Sequence, residues 1–147
     1  MSIAERTAST TWQGSLASGS GNVTSGSGAL GKLPVTWAAR TEQPDGKTSP
    51  EELAAAAHSS CFSMALSLRL GENHTPPEKL TVEAAVTLDE VGGLPTVISS
   101  ALRITARVPG VDAARFQKVV DEAAALCPIS RLFAGAKISV VATLEQG

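Results

Sequence analysis

Apolar and polar residues alternate with a period of two in the second half of the chain, and this pattern predicts long strands. In the segment 80–89 the even positions are apolar, and the pattern continues over 98–108 after a turn near Gly92-Gly93. A final apolar run predicts a strand at 138–144. These segments indicate a sheet with one side against a core.

Shorter extended segments are predicted in the first 45 residues, which are rich in Gly, Ser and Thr. They lie at 7–14, 19–25 and 33–40. The third alternates apolar residues at its odd positions with other residues at its even positions. This pattern places Arg40 on the opposite face, at the end of the strand.

The clearest helix signal follows the loop 41–48. Ser49 is a suitable N-cap, Pro50 falls at the first helical position, and Glu52 completes a Ser-x-x-Glu capping box. The helix is predicted to continue to Leu70, with Gly71 as its stop. Because it is apolar or small on nearly every side, we expect most of its surface to be buried, in the middle of a domain or a dimer.

A second helix is predicted to begin near Asp112, which is a suitable N-cap. Its apolar stripe recurs at helical spacing and consists of Phe116, Val119, Val120, Ala123 and Cys127. A short helical turn is expected after Pro128. Strands in consecutive blocks with a few helices between them indicate an α+β fold with a mainly antiparallel sheet.

Composition narrows the class of protein. The chain has 147 residues, is 43% hydrophobic and carries a net charge of −2, which is typical of one globular domain over 1–147. Nucleic acid and membrane partners are not expected, because there is no basic cluster and no apolar segment of spanning length. The amino terminus has no apolar signal region, so we expect a cytoplasmic protein.

The only two cysteines, Cys61 and Cys127, lie on the apolar stripes of the two predicted helices. Free cysteines are often buried and behave as small hydrophobes, so in one interpretation both are inert core residues. The alternative is a redox pair in which one thiolate attacks a peroxide and the second thiol closes a disulfide. A thiol redox sensor, a small-ligand-binding stress protein and a structural stress protein with inert cysteines also remain open.

Further residues have a simple structural interpretation and a functional one. Amide donors after Pro128 would favour a Cys127 thiolate, whereas Cys61, in mid-helix, would need a nearby cation. Arg40 can be a solvated charge or that cation, and Glu51 can simply stabilise the helix dipole. His58 shares a helical face with Cys61, yet the ligands for a metal site are too few, so no metal is expected.

The segment 48–68, TSPEELAAAAHSSCFSMALSL, closely resembles the OsmC family, the osmotically inducible branch of the OsmC/Ohr hydroperoxide reductases. Shorter matches extend over nearly the whole chain. They are Trp12-Gln-Gly14, Gly19-Ser-Gly21, Ser27-Gly-Ala-Leu30, Arg40, Val108-Pro-Gly-Val-Asp112 and Cys127-Pro-Ile-Ser130. The central segment is long and specific, whereas the Gly/Ser matches alone would be weak.

This resemblance implies an intertwined α+β homodimer with long cysteine helices at its centre and sheets around them. It implies that Cys61 is the peroxidatic thiol, Cys127 the resolving thiol, Arg40 the activating cation and Glu51 its carboxylate partner. It also implies a peroxidase that reduces organic hydroperoxides, and hydrogen peroxide less readily, with an external thiol and no cofactor. Dihydrolipoamide is a plausible reductant by resemblance only.

Helix geometry supports the dimer separately. Glu51 and Cys61 are ten residues apart on one predicted helix, or about 15 Å along its axis. If both serve one pocket, Glu51 must come from a second subunit. The resemblance also implies that the strands within 1–45 exchange with the partner or pack on it. An apolar lining that suits a hydrocarbon-bearing peroxide is expected from some of Phe62, Met64, Leu66 and Leu68, and the pattern leaves open which of the four face the pocket.

Overall fold

The computed structural model describes residues 1–145 and divides into two compact units, Met1–Leu53 and the remainder from Ala54 onward. The predicted α+β class is confirmed. The single domain over 1–147 stays a prediction, and its last two residues lie outside the described part. In chain order the elements are β1 Ala8–Gln13, β2 Ser20–Ser25, β3 Leu33–Val35, α1 Trp37–Thr41, α2 Pro50–Glu72, β4 Lys79–Val91, β5 Leu94–Arg107, α3 Ala113–Leu126, α4 Pro128–Leu132 and β6 Lys137–Leu144.

The first unit contains a three-stranded antiparallel sheet in the order β1-β2-β3. The strands predicted at 7–14 and 19–25 are confirmed to within a residue or two. The strand predicted at 33–40 is wrong in its second half, because it ends at Val35. The Thr36 hydroxyl accepts a hydrogen bond from the Ala39 N–H at 3.0 Å and begins α1. Arg40 therefore lies on a helix.

Helix α2 begins as its capping residues predict, since the Ser49 hydroxyl accepts the Glu52 N–H at 3.1 Å. The Glu52 carboxylate instead accepts from the Thr48 hydroxyl at 2.9 Å. The predicted end is two residues short, because α2 continues through Gly71 to Glu72. His74 takes the left-handed conformation with φ 61°, and its N–H donates to the Gly71 carbonyl. This arrangement is a Schellman cap in which His74, and not the predicted Gly71, takes the left-handed position.

The second unit contains a sheet in the order β4-β5-β6. Strands β4 and β5 form the predicted antiparallel hairpin, closed by Gly92 and Gly93, whose φ angles are 58° and 82°. Both angles are positive, so this two-residue turn favours glycine at both positions. Strand β6 pairs with β5 in parallel, and α3 and α4 form the crossover that such a pairing requires.

The main hydrophobic core of the second unit joins one face of α2, the inner positions of β5 and the stripe of α3. Every residue of the predicted α3 stripe is buried, from Phe116 to Cys127. The cluster consists of Phe62, Ala65, Leu66, Leu70, Leu102, Ile104, Ala106, Val108, Phe116, Val119, Val120, Ala123 and Cys127. Among residues 1–145, no helix is long and apolar enough to cross a membrane.

The core position of β5 leads to a first prediction. Leu102 is 2% exposed and Leu94, on the same strand, is 68% exposed. We expect Leu102→Ala to lower the free energy of unfolding by about 2–5 kcal/mol through lost burial and a residual cavity. Leu94→Ala, the matched control, should change it by less than about 0.5 kcal/mol. Denaturant unfolding at one fixed protein concentration measures both, and equal effects would contradict this description of the core.

Candidate active site

The two cysteines meet in the second unit. Cys61 comes from the middle of α2 and Cys127 from the junction between α3 and α4, and their Sγ atoms lie 3.5 Å apart. Both are free thiols, with Cys127 buried and Cys61 partly buried. A disulfide needs a separation of about 2.05 Å, so closing the bond requires a shift of only about 1.5 Å. The predicted meeting of the two thiols is therefore confirmed.

The surroundings of Cys61 oppose its ionisation. Burial raises the pKa of the Cys61 thiol, the backbone N–H of Ile129 lowers it, and the neighbouring Cys127 raises it again, with a raised pKa as the result. The thiolate is the nucleophilic form of cysteine. These contacts therefore lower the fraction of Cys61 that is in the nucleophilic form.

The amide donors of α4 serve a different cysteine from the one predicted. Cys127 is the N-cap of α4, but its side chain makes no capping hydrogen bond. Pro128 has no N–H, and the next amide, Ile129, bonds to Cys61. The expected contact between these amides and the Cys127 side chain is therefore absent.

The charged pair lies in the first unit. Arg40 donates from Nε to Glu51 Oε1 at 2.9 Å and from Nη2 to Glu51 Oε2 at 2.8 Å, so the two residues form a bidentate ion pair. These hydrogen bonds raise the pKa of Arg40 above its ordinary value despite opposing desolvation. The guanidinium also stacks 5.9 Å from the centroid of the Trp37 ring. Arg40 and Glu51 are thus partners, and their predicted roles in catalysis stay predictions.

An apolar cavity of about 550 Å³ adjoins Arg40 within the first unit. Its lining residues are Thr10, Trp12, Leu16, Val23, Val35, Thr36, Trp37, Arg40, Pro50 and Leu53. The sequence interpretation missed most of them, although Trp12 and Trp37, the only tryptophans, were a usable signal. Of the four α2 residues from which an apolar lining is expected, Phe62 and Leu66 are fully buried in the core of the second unit, whereas Met64 and Leu68 are exposed.

His58 is fully buried, and both of its ring nitrogens are occupied by serines. Nδ1 is 2.6 Å from the Ser100 hydroxyl, and Nε2 is 2.7 Å from the Ser130 hydroxyl. Phe133 meets the imidazole edge to face at 5.2 Å. Within residues 1–145, no group of three or more His, Cys, Asp or Glu side chains is placed to hold a metal ion.

Comparison with known proteins agrees with this geometry. Residues 43–141 match the family model described as OsmC-like protein. Peroxiredoxin OsmC of Escherichia coli is 41% identical over 121 residues, which cover 82% of this chain and 84% of that protein.

Two solved structures extend the likeness to the fold. The organic hydroperoxide resistance protein OhrB of Bacillus subtilis superposes with a TM-score of 0.67 at 26% identity, covering 95% of this chain and 98% of that one. An OsmC-like protein from Mycoplasma pneumoniae reaches a TM-score of 0.77 over 99% of this chain and 100% of that one, at 13% identity, which supports the fold alone. The chain belongs to the OsmC-like protein family.

Proposed function

We propose that this chain is a peroxidase that reduces organic hydroperoxides, and hydrogen peroxide less readily, through a disulfide between Cys61 and Cys127. The predicted enzyme class, a cysteine-based peroxidase, is confirmed by the relationship to a curated peroxiredoxin. The observation that carries the proposed chemistry is the 3.5 Å separation of the two free thiols. A pair at that distance can cycle between dithiol and disulfide with little movement.

The cycle balances with these two residues and an external dithiol. The Cys61 thiolate attacks one peroxide oxygen, the O–O bond breaks, and the other oxygen leaves as an alcohol after taking a proton. Cys61 is then a sulfenic acid. The Cys127 thiol forms an S–S bond to it and water leaves, and an external dithiol reduces the disulfide by exchange. Dihydrolipoamide remains a candidate reductant by family resemblance.

Activation of Cys61 requires a cation, and Arg40 is the proposed source. The contacts within the second unit raise the Cys61 pKa, whereas an arginine stays charged at any physiological pH. Glu51 holds two of the Arg40 nitrogens, so the guanidinium is fixed before substrate arrives. A fixed guanidinium favours the thiolate and can donate to the peroxide oxygen as charge develops there.

The cavity beside Arg40 supports an organic substrate. Its volume of about 550 Å³ falls in the range of small-molecule sites, and most of its lining is aliphatic or aromatic. Hydrogen peroxide has no apolar group to bury there. A hydroperoxide with a hydrocarbon chain would gain about 0.8 kcal/mol for each buried methylene.

A second copy of the chain is the proposed source of the charged pair. Glu51 precedes Cys61 by ten residues on α2, which corresponds to about 15 Å of helix. Met64 and Leu68, one turn apart on α2, are 72% and 55% exposed in the single chain. An exposed apolar row of this kind is typical of a helix covered by a partner. We therefore propose a homodimer in which α2 lies at the interface and residues 1–45 pack on the partner.

The proposed cycle predicts different products for the two cysteine variants. Reduced wild type treated with one equivalent of cumene hydroperoxide should lose both thiols and two hydrogens, as a disulfide. Cys61→Ser should lose all peroxide turnover, because the nucleophile is gone. Cys127→Ser should still react once and gain one oxygen at Cys61. Intact-mass analysis with thiol counting measures all three proteins.

Sustained turnover separates this proposal from the other interpretations of the cysteine pair. With excess dithiol, an enzyme reduces many equivalents of cumene hydroperoxide, whereas a redox sensor consumes about one per chain. Two thiols that remain free after treatment would show that the cysteines are inert, and the proposal would fail.

Loss of Arg40 should shift the reactivity of Cys61 to higher pH. Without the cation the Cys61 pKa rises, so Arg40→Met should move the midpoint of Cys61 alkylation upward and slow peroxide reduction by about 100-fold at neutral pH. Arg40→Lys should recover part of the peroxide reduction rate, because the positive charge returns without the bidentate contact to Glu51. Arg103→Met is the matched control, since Arg103 is exposed on β5 and lies outside residues 1–45. An unchanged alkylation profile in Arg40→Met would exclude Arg40 as the activating cation.

The proposed interface predicts that acidic residues on the outer face of α2 separate the subunits. We expect Met64→Glu combined with Leu68→Glu to weaken the dimer by at least about 100-fold, because an unpaired buried charge costs several kcal/mol. Peroxide turnover should fall with it. Lys118→Glu, on the exposed face of α3, is the control for added negative charge. Sedimentation equilibrium measures association, and a wild-type chain that is monomeric at every concentration would contradict the dimer.

A further inference from the structure

Among residues 1–145, His58 is the one buried titratable side chain near the cysteines that the proposed cycle does not use. It lies on α2, one helical turn before Cys61, and is 0% exposed. The two serines that contact its ring belong to different elements, Ser100 to β5 and Ser130 to α4. The imidazole therefore connects three elements through hydrogen bonds of 2.6 and 2.7 Å.

Through Ser130, His58 contacts α4, and this helix begins at Cys127, the second cysteine of the redox pair. Helix α4 has only five residues. Cys127 is its N-cap, Ile129 supplies the backbone N–H that bonds to Cys61, and Ser130 follows directly. Because a helix of five residues has little stability of its own, its position depends on side-chain contacts.

We propose that His58 is a positioning residue for the resolution step: through Ser130 it holds the first turn of α4, so that Cys127 stays within reach of Cys61 once Cys61 has become a sulfenic acid. This inference rests on the proposed peroxidase function. It concerns how the second thiol is delivered, which the positions of the two cysteines alone do not explain.

The chemistry of the imidazole suits this structural role. Burial lowers the pKa of His58, which favours the neutral ring. A neutral imidazole has one N–H donor and one acceptor nitrogen, and a serine hydroxyl can pair with either. Both ring nitrogens therefore find partners without a buried charge. Phe133 packs against the ring at 5.2 Å and adds an apolar contact with the residue after α4.

The consequence for the reaction follows from the distance between the sulfurs. The disulfide forms when the Sγ atoms move from 3.5 Å to about 2.05 Å, so α4 must be held near the reactive geometry. A looser α4 would place Cys127 within reach for a smaller fraction of the time. The Cys61 sulfenic acid would then persist, and a second equivalent of peroxide would oxidise it to the sulfinic acid.

The test compares the two chemical steps in four full-length proteins: wild type, Ser130→Ala, His58→Phe and the control Ser63→Ala. Ser63 is also a serine near the redox pair, but its hydroxyl donates at 2.7 Å to the carbonyl of Ser60 in the same helix. Each reduced protein is mixed with one equivalent of cumene hydroperoxide and quenched with a thiol-alkylating reagent at successive times. Intact mass then gives the rate of oxygen gain at Cys61 and the rate of disulfide formation.

We expect Ser130→Ala and His58→Phe to lower the ratio of disulfide formation to peroxide attack by about 10- to 100-fold, as for misplacement of a reacting group by about 1 Å. Sulfinic acid should accumulate in both variants when excess peroxide is present. Ser63→Ala should match wild type. Ser130→Ala removes one hydroxyl only, so it tests the proposal even if His58→Phe does not fold.

Two results would overturn the assignment. One is a wild-type ratio in every variant that folds, including Ser130→Ala alone if His58→Phe does not fold. The other is a proportional loss of both steps, which would make His58 a purely structural core residue. Failure of the wild-type protein to form any disulfide is a separate result, since it would remove the proposed function together with this inference.

Discussion

The rotation of α2 about its axis is set by one row of buried side chains, and the rest of the site depends on that constraint. His58, Phe62, Leu66 and Leu70 recur every four residues and are all fully buried. Fully burying one such apolar side chain contributes roughly 1.5–3 kcal/mol, so rotating the helix would expose several of them at once. Cys61 directly precedes Phe62, and this packing brings it against Cys127.

Burial of the two thiols favours disulfide formation but opposes the ionisation of Cys61. It brings the thiols together and excludes water, yet it also raises the pKa of Cys61 and so reduces the nucleophilic form. One backbone N–H, from Ile129, only partly offsets this. The Arg40–Glu51 pair has a positive charge held by two hydrogen bonds, and an apolar cavity adjoins it. In the proposed homodimer, the Cys61–Cys127 pair of one subunit and the Arg40–Glu51 pair of the other meet at the interface.

Sequence patterns predicted the elements well wherever a single local signal applied. The alternation in β4 and β5, the Gly92-Gly93 turn, the Asp112 cap and the stripe of α3 all reappear in the structure. The errors lie where a competing local contact was possible. Thr36 capped a helix within an alternating pattern, and His74 took the left-handed position expected for Gly71. In both cases a side chain or backbone hydrogen bond outweighed the residue preference.

By itself, the sequence determined the class of fold, the family and the four residues proposed for catalysis, because periodicity, capping residues and the segment 48–68 are properties of adjacent positions. Tertiary structure decided which side chains and backbone groups contact one another. It directed the Ile129 N–H to Cys61 instead of Cys127, placed Phe62 and Leu66 in the core, and tied His58 to Ser100 and Ser130. These contacts join residues up to 72 positions apart. Their geometry depends on how whole helices and strands pack, and no local pattern contains that information.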